Sequence, residues 1–208
     1  RTNELIDPSL HIWGWHVPVY LFLGGLVAGM MIIAGYYIYN RKYKENSSVC
    51  MQLPLLSILL LSLGMLALFL DLEYKMHVWR MYMTFEFTSP MSWGSWILLF
   101  VYPVLFITIL LNPAAYFTSK FPIIVKWSNK LLGSQILIKT IAILNIVLGV
   151  MLGIYTGVLL SAFGARPLWN SSLLGILFLV SGLSTAAALV HIVSKNKEEK
   201  VQLARADN

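Results

Sequence analysis

Apolar residues in this chain fall in long unbroken blocks rather than in the short periods of a surface helix or strand. Five stretches, 17–39, 53–72, 92–111, 135–163 and 172–193, are almost continuously apolar. A helix rising ~1.5 Å per residue needs roughly 20 residues to cross ~30 Å of hydrocarbon, so each stretch predicts a transmembrane helix. The segments between them are not featureless. Residues 74–88 space Met76, Trp79 and Met83 at helical intervals and add Tyr82 and Phe85. Residues 114–132 mix Phe117, Phe121, Ile124 and Trp127 with Lys120, Lys126 and Lys130. Aromatic side chains beside charges predict segments that lie in the membrane interface. The expected fold is an all-α integral membrane protein. An outer segment at 1–16 leads into a four-helix transmembrane bundle at 17–164, followed by a fifth helix at 165–194 and a basic tail at 195–208.

Small residues inside the blocks predict how the helices meet. Gly25 and Gly29 in the first span, and Gly149, Gly153 and Gly157 in the fourth, recur at four-residue spacing. One helix face is thereby stripped of side chains, which lets a neighbouring backbone approach. Ser181, Gly182, Ser184 and Thr185 give the fifth span a similar small, weakly polar face. Asn145, one turn before Gly149, is expected to hydrogen-bond a neighbouring helix, and Lys139 to snorkel to the boundary.

Composition agrees with the pattern: 58% of residues are hydrophobic and 12% charged. The formal charge of +6 reflects topology rather than a nucleic-acid surface. Of the fifteen Lys and Arg residues, Arg1, Lys75, Arg80 and Arg166 fall on one side of the five spans and the others on the opposite side. The excess of positive charge predicts that the N-terminus faces outward and that the basic loops face the cytoplasm and its anionic lipid.

Ionisable residues are scarce but clustered. Asp71, Glu73, Lys75, His77, Arg80 and Glu86 lie close together in sequence, ahead of Ser89-Pro90-Met91-Ser92-Trp93-Gly94-Ser95-Trp96. Charges held against a bilayer are costly and mark functional positions by default. Metal chemistry fits poorly. One cysteine, Cys50, cannot supply an iron–sulfur cluster, and His11, His16, His77 and His191 do not pair at matched depth for a haem. No run of carboxylates crosses the spans, so no proton wire is expected. A secondary transporter would place its site near the midplane on broken helices; clustering at one face argues against that.

Three motifs together resemble a known family. Trp13-Gly14-Trp15-His16, followed by Tyr20 and by Gly24-Gly25 and Ala28-Gly29, is similar to the first-helix signature of the NrfD/PsrC family, the membrane subunits typified by polysulfide reductase. Asp71-Leu72 with Ser89-Pro90-Met91-Ser92-Trp93-Gly94 resembles its second signature, and Tyr155-Thr156-Gly157-Val158-Leu159-Leu160-Ser161 with Arg166-Pro167-Leu168-Trp169-Asn170 its third. The resemblance implies a quinone-linked membrane subunit of a multi-subunit respiratory oxidoreductase in the prokaryotic cytoplasmic membrane. It also implies a ferredoxin-like iron–sulfur partner subunit at the outer face, with a catalytic subunit beyond it, and no haem or cluster in the membrane subunit itself. Family members have eight or more helices, so the five here are expected to be the front part of such a subunit.

The residues offer a site for a quinone, either menaquinone or ubiquinone. Oxidising a quinol releases protons, so its pocket needs hydrogen-bonding groups and a proton acceptor. His16 is the first candidate, because an imidazole can bond a ring oxygen in either protonation state. Tyr20, one turn on, shares its helix face. Asp71 ends an apolar helix and is the candidate for proton transfer, unless Arg80 or Lys75 pairs with it as a structural ion pair. Arg80 and Glu86 complete the expected pocket. Ser89 and Ser92 read better as caps of the third span. The alternative is a purely structural anchor that docks the iron–sulfur subunit without binding quinone.

Overall fold

The computed structural model describes residues 14–40, 48–72, 75–77, 79–83, 86–111, 122–161, 171 and 173–193. Those residues form seven α-helices and a 3-10 turn: α1 His16–Tyr39, α2 Ser48–Asp71, the turn Lys75–His77, α3 Arg80–Met83, α4 Pro90–Leu111, α5 Pro122–Leu132, α6 Gln135–Ser161 and α7 Leu174–Val193. No strand occurs among the described residues. Five of the helices, α1, α2, α4, α6 and α7, are long and apolar enough to cross a membrane. The chain is a multi-pass membrane protein, as its apolar blocks predict.

Backbone chemistry explains why only helices occur in the spans. Hydrocarbon offers no hydrogen-bond partner, so each amide must be satisfied within its own segment. Pro54 in α2 and Pro103 in α4 lie inside continuous helices, which neighbouring helices tolerate better in a membrane than water does. Pro90 opens α4, where its missing N–H costs nothing. The amides of Ser92 and Trp93 reach back to the Ser89 carbonyl. Between α5 and α6 the Gly133 amide closes on the Asn129 carbonyl at 3.1 Å, and the Ser134 hydroxyl accepts from the Leu137 amide at 3.5 Å.

Helices α1, α2, α4 and α6 form a four-sided bundle. Helix α1 packs broadly on α2 and α6, and α4 packs on α6. The fourth side, between α2 and α4, is in much thinner contact. Helix α7 lies outside the square, across α1 and α6. The core runs through Val27, Met30, Met31, Leu53, Val101, Leu105 and Ala142, all essentially inaccessible.

The glycine seams are where the sequence places them. A methyl at Gly29 would sit 2.5 Å from the Gly182 carbonyl oxygen and 2.6 Å from the Ala186 Cβ. At Gly149 it would meet the Ala28 carbonyl oxygen at 2.8 Å. Gly157 faces the backbone of Leu174 and Gly175. Helix α7 departs from its expected face. Gly182 is buried, together with Gly175, Ala186 and Val190, while Ser181, Ser184 and Thr185 are exposed. Residues spaced by four or seven share a stripe, and the three hydroxyl residues fall off it.

Polar groups at depth behave as their surroundings require. The Asn145 amide donates to the Thr108 hydroxyl at 2.8 Å, tying α6 to α4, and to the Ile141 carbonyl at 2.9 Å. The Thr108 hydroxyl donates to the Val104 carbonyl at 2.7 Å. Lys139 is exposed and lays its ammonium 5.9 Å from the Tyr39 ring centroid. Of the two connecting segments that the sequence assigns to the interface, 74–88 contains the 3-10 turn and α3. Residues 122–132 of the other are helical, with Lys130 5.8 Å from the Trp127 ring; its first part, 114–121, lies outside the described residues.

Candidate functional site

His16 is the first residue of α1 and Asp71 the last of α2. The two helices run antiparallel side by side, so these ends meet although the residues are far apart in sequence. His16 Nδ1 lies 3.8 Å from Asp71 Oδ1, with the side chains 24% and 38% exposed. That separation is too long for a hydrogen bond and short for an electrostatic pair. The His16 ring is held against Trp15, centroids 4.0 Å apart and planes tilted by 31°. Among the described side chains, the basic group paired with Asp71 is His16. Lys75, offered by the sequence as its cation, is exposed in the 3-10 turn. Arg80 starts α3, but its side chain lies outside the described ones.

Just inside this end of the bundle is a cavity enclosed by α1, α2, α4 and α6, with ≈ 920 Å³ of empty space including its mouth. Tyr20 lines it from α1, Tyr155 and Thr156 from α6, Ser95 from α4 and Tyr82 from α3; α2 contributes apolar side chains. Three glycines shape it. Gly64 leaves Tyr20 Cα 3.9 Å from where a methyl would stand, and Gly24 leaves Thr156 Cγ2 at 3.4 Å. Gly94 matters most, because the phenol end of Tyr155 occupies the space its side chain would fill.

The cavity and the His16–Asp71 pair share one end of the bundle: Tyr20, one turn on from His16 in α1, lines the cavity together with Tyr155. The hydroxyls of Ser95 and Thr156 spend their protons on the carbonyls of Ser92 and Gly153, at 2.8 and 2.7 Å, so they can only accept from a ligand. The phenols are the donors. Burial, and secondly the nearby Tyr102, pushes the Tyr82 phenol above its ordinary range, which keeps it a neutral donor. The arrangement suits a flat molecule with an apolar body and polar ring oxygens.

Of the residues singled out in the sequence, the fold brings together His16, Tyr20 and Asp71 at one end of the bundle; of these Tyr20 lines the cavity, while His16 and Asp71 lie outside its wall. Glu86 stands apart: it is exposed, accepts from the Thr88 hydroxyl at 3.5 Å, and is absent from the cavity wall. Ser92 is a structural clasp rather than a helix cap: it lies inside α4 and its hydroxyl accepts the Glu86 amide of the connector at 3.1 Å. Sequence reasoning missed Tyr155, Tyr82, Ser95 and Thr156. The available signal is the motif Tyr155-Thr156-Gly157, whose glycine draws attention to packing alone, while Tyr82 passes for an ordinary interface aromatic. Among the described residues, no three His, Cys, Asp or Glu side chains gather as a metal site.

Comparison with known proteins agrees with the three motifs. The family model "Polysulphide reductase, NrfD" matches residues 4–203. The C subunit of polysulfide reductase from Wolinella succinogenes is 33% identical over 178 residues, 83% of this chain and 55% of that protein. Protein NrfD of Escherichia coli K12 is 30% identical over 207 residues, 92% of this chain and 62% of that protein. A Haemophilus influenzae NrfD homolog is 27% identical over 194 residues, 89% of this chain and 60% of that protein. The chain thus spans little more than half the length of these relatives.

Proposed function

Because this chain belongs to the polysulphide reductase NrfD family, we propose that it is part of the membrane subunit of a respiratory reductase complex and holds the site where that complex exchanges electrons with the membrane quinone pool. One observation carries the reading: an apolar cavity edged by phenols sits directly beneath an acid–base pair at one end of the bundle. The redox partner would be an iron–sulfur subunit docked at that end, passing electrons onward to a catalytic subunit. The relatives named as the polysulfide reductase C subunit and NrfD favour this assignment. The charge asymmetry of the loops supports an outward orientation of that end across the cytoplasmic membrane.

A quinol bound here supplies two electrons and two protons on oxidation. Tyr20 and Tyr155 orient the ring by hydrogen-bonding its oxygens, and the apolar wall from α2 excludes water. Asp71 accepts a proton at its carboxylate, and His16, 3.8 Å away, takes or returns one at Nδ1. Both side chains are partly exposed, so each proton has a short route to solvent. Glu86 stays outside this core and is better placed to meet a partner subunit than a ring in the cavity; the Arg80 side chain lies outside the described ones.

The test is His16→Ala in the assembled complex. Quinol-linked turnover should fall about a hundredfold, the lower range for loss of a positioned acid–base group, while assembly and activity with an artificial dye persist. Loss of both activities would instead mark His16 as structural, and an unchanged quinol rate would favour the anchor without a quinone site.

A further inference from the structure

Helix α5 stands at the end of the bundle opposite the His16–Asp71 pair, between the last residue of α4 and the first of α6. It carries more apolar surface than the fold covers. On its packed side, against α4 and α6, Ser128 is buried and Leu131 and Leu132 rest on the edge of the core. Ile123, Trp127 and Lys130 follow the i, i+4, i+7 spacing of a single stripe, next to the packed one. That stripe is open, with Ile123 63% and Trp127 54% exposed. Lys130 holds its ammonium 5.8 Å from the Trp127 ring centroid. Lys126, one turn before Lys130, is exposed on the side turned away from Ser128. Around the helix, then, the protein contact gives way to an apolar flank and the flank to two ammonium groups. The helix is also fixed in rotation, because the Gly133 amide closes on the Asn129 carbonyl at 3.1 Å just before α6 begins.

We propose that α5 lies along the lipid–water boundary as a binding face for anionic phospholipid, with Ile123 and Trp127 in the upper acyl region and Lys126 and Lys130 on the phosphodiester groups. This role is independent of what the cavity holds. A helix with one apolar flank and cations beside it settles in the plane of the boundary. The lysine stems can follow the apolar flank while their ammonium groups stay at headgroup depth. Charge decides which lipid. Helix α5 has no acidic residue, and Lys139 of α6 adds a third ammonium at this end, laid 5.9 Å from the Tyr39 ring centroid. Among the described residues the carboxylates, Asp71 and Glu86, both belong to the opposite end. A zwitterionic headgroup brings its own cation to each phosphate. An anionic headgroup leaves its charge for the lysines.

Two photoreactive lipids test this on the purified complex in nanodiscs, a phosphatidylglycerol and a phosphatidylcholine, each with its reactive group high on one acyl chain. Both are supplied at the same mole fraction, and cross-linked peptides are mapped by mass spectrometry. Ile123 and Trp127 should be labelled more by the phosphatidylglycerol, with a gain of up to about fivefold for each lysine held near the anionic surface. The double variant Lys126→Gln with Lys130→Gln should bring the two probes level while labelling by the phosphatidylcholine persists, which shows that α5 is still in place. Equal labelling of the unaltered complex by both probes, or a preference that survives loss of both lysines, would overturn the headgroup site. Labelling of Ile123 and Trp127 by neither probe would overturn it as well, because another protein surface would then cover α5.

Discussion

Replacing Gly94 by alanine perturbs the candidate site by one methyl group. That methyl would stand 2.5 Å from Tyr155 Cε2 and closer still to Cζ and Oη, whereas carbon atoms rest at about 3.5–4.0 Å. The phenol must therefore move by about 1 Å or more. Tyr155 is only partly buried and its ring borders the cavity, so the cheapest relief is to swing into the space that the ligand needs. Overpacking of this kind costs about 1–3 kcal/mol. Purified Gly94→Ala protein should unfold at lower temperature, and its apparent affinity for quinol should weaken about tenfold, the equivalent of about 1.4 kcal/mol. The double variant Gly94→Ala with Tyr155→Leu separates the causes, because the smaller side chain relieves the clash. It should recover most of the lost stability without recovering affinity, a non-additivity expected of residues in contact. Unchanged stability in the single variant, or no recovery in the double one, would refute the claim that α4 accommodates Tyr155 through Gly94.

Two further outcomes follow from the packing and the charge distribution. Asn145→Leu removes the 2.8 Å bond to Thr108 but also removes the Asn145 carbonyl oxygen, which is buried without a partner. The loss in a denaturant titration should stay near the average of about 0.6 kcal/mol for such bonds in membranes, and a loss above about 1.7 would contradict this account. For orientation, Gly14→Cys should react with a membrane-impermeant maleimide in intact cells, and Gly133→Cys only after permeabilisation. Cys50 is buried and contributes little background. The inverse labelling would reverse the assignment of the outer face.

How much of the site was legible depended on whether a residue's role is local. His16, Tyr20 and Asp71 stand out because ionisable or phenolic groups at the ends of apolar helices are conspicuous in any sequence. Glu86 was equally conspicuous, and the fold leaves it exposed. Its placement depends on how the connector folds back through the Ser92 hydroxyl, which no spacing rule predicts. Tyr155 was hidden for the opposite reason. An aromatic within a helix looks like ordinary packing until a glycine on another helix is found beneath it.

The linear pattern of apolar blocks, by itself, determined five membrane helices and the glycine faces of α1 and α6, because hydrocarbon demands internal hydrogen bonding and a minimum length, both written along the chain. It also carried the three motifs that mark the family. Only the tertiary structure decided that His16 lies beside Asp71, that Ser181, Ser184 and Thr185 turn away from the α7 packing stripe, and that α2 and α4 meet more thinly than the other sides of the bundle. These are matters of which helix neighbours which and at what rotation. In a bilayer nearly every face is apolar, so hydrophobic burial cannot choose among them. The choice falls to close packing and a few hydrogen bonds between residues distant in the sequence.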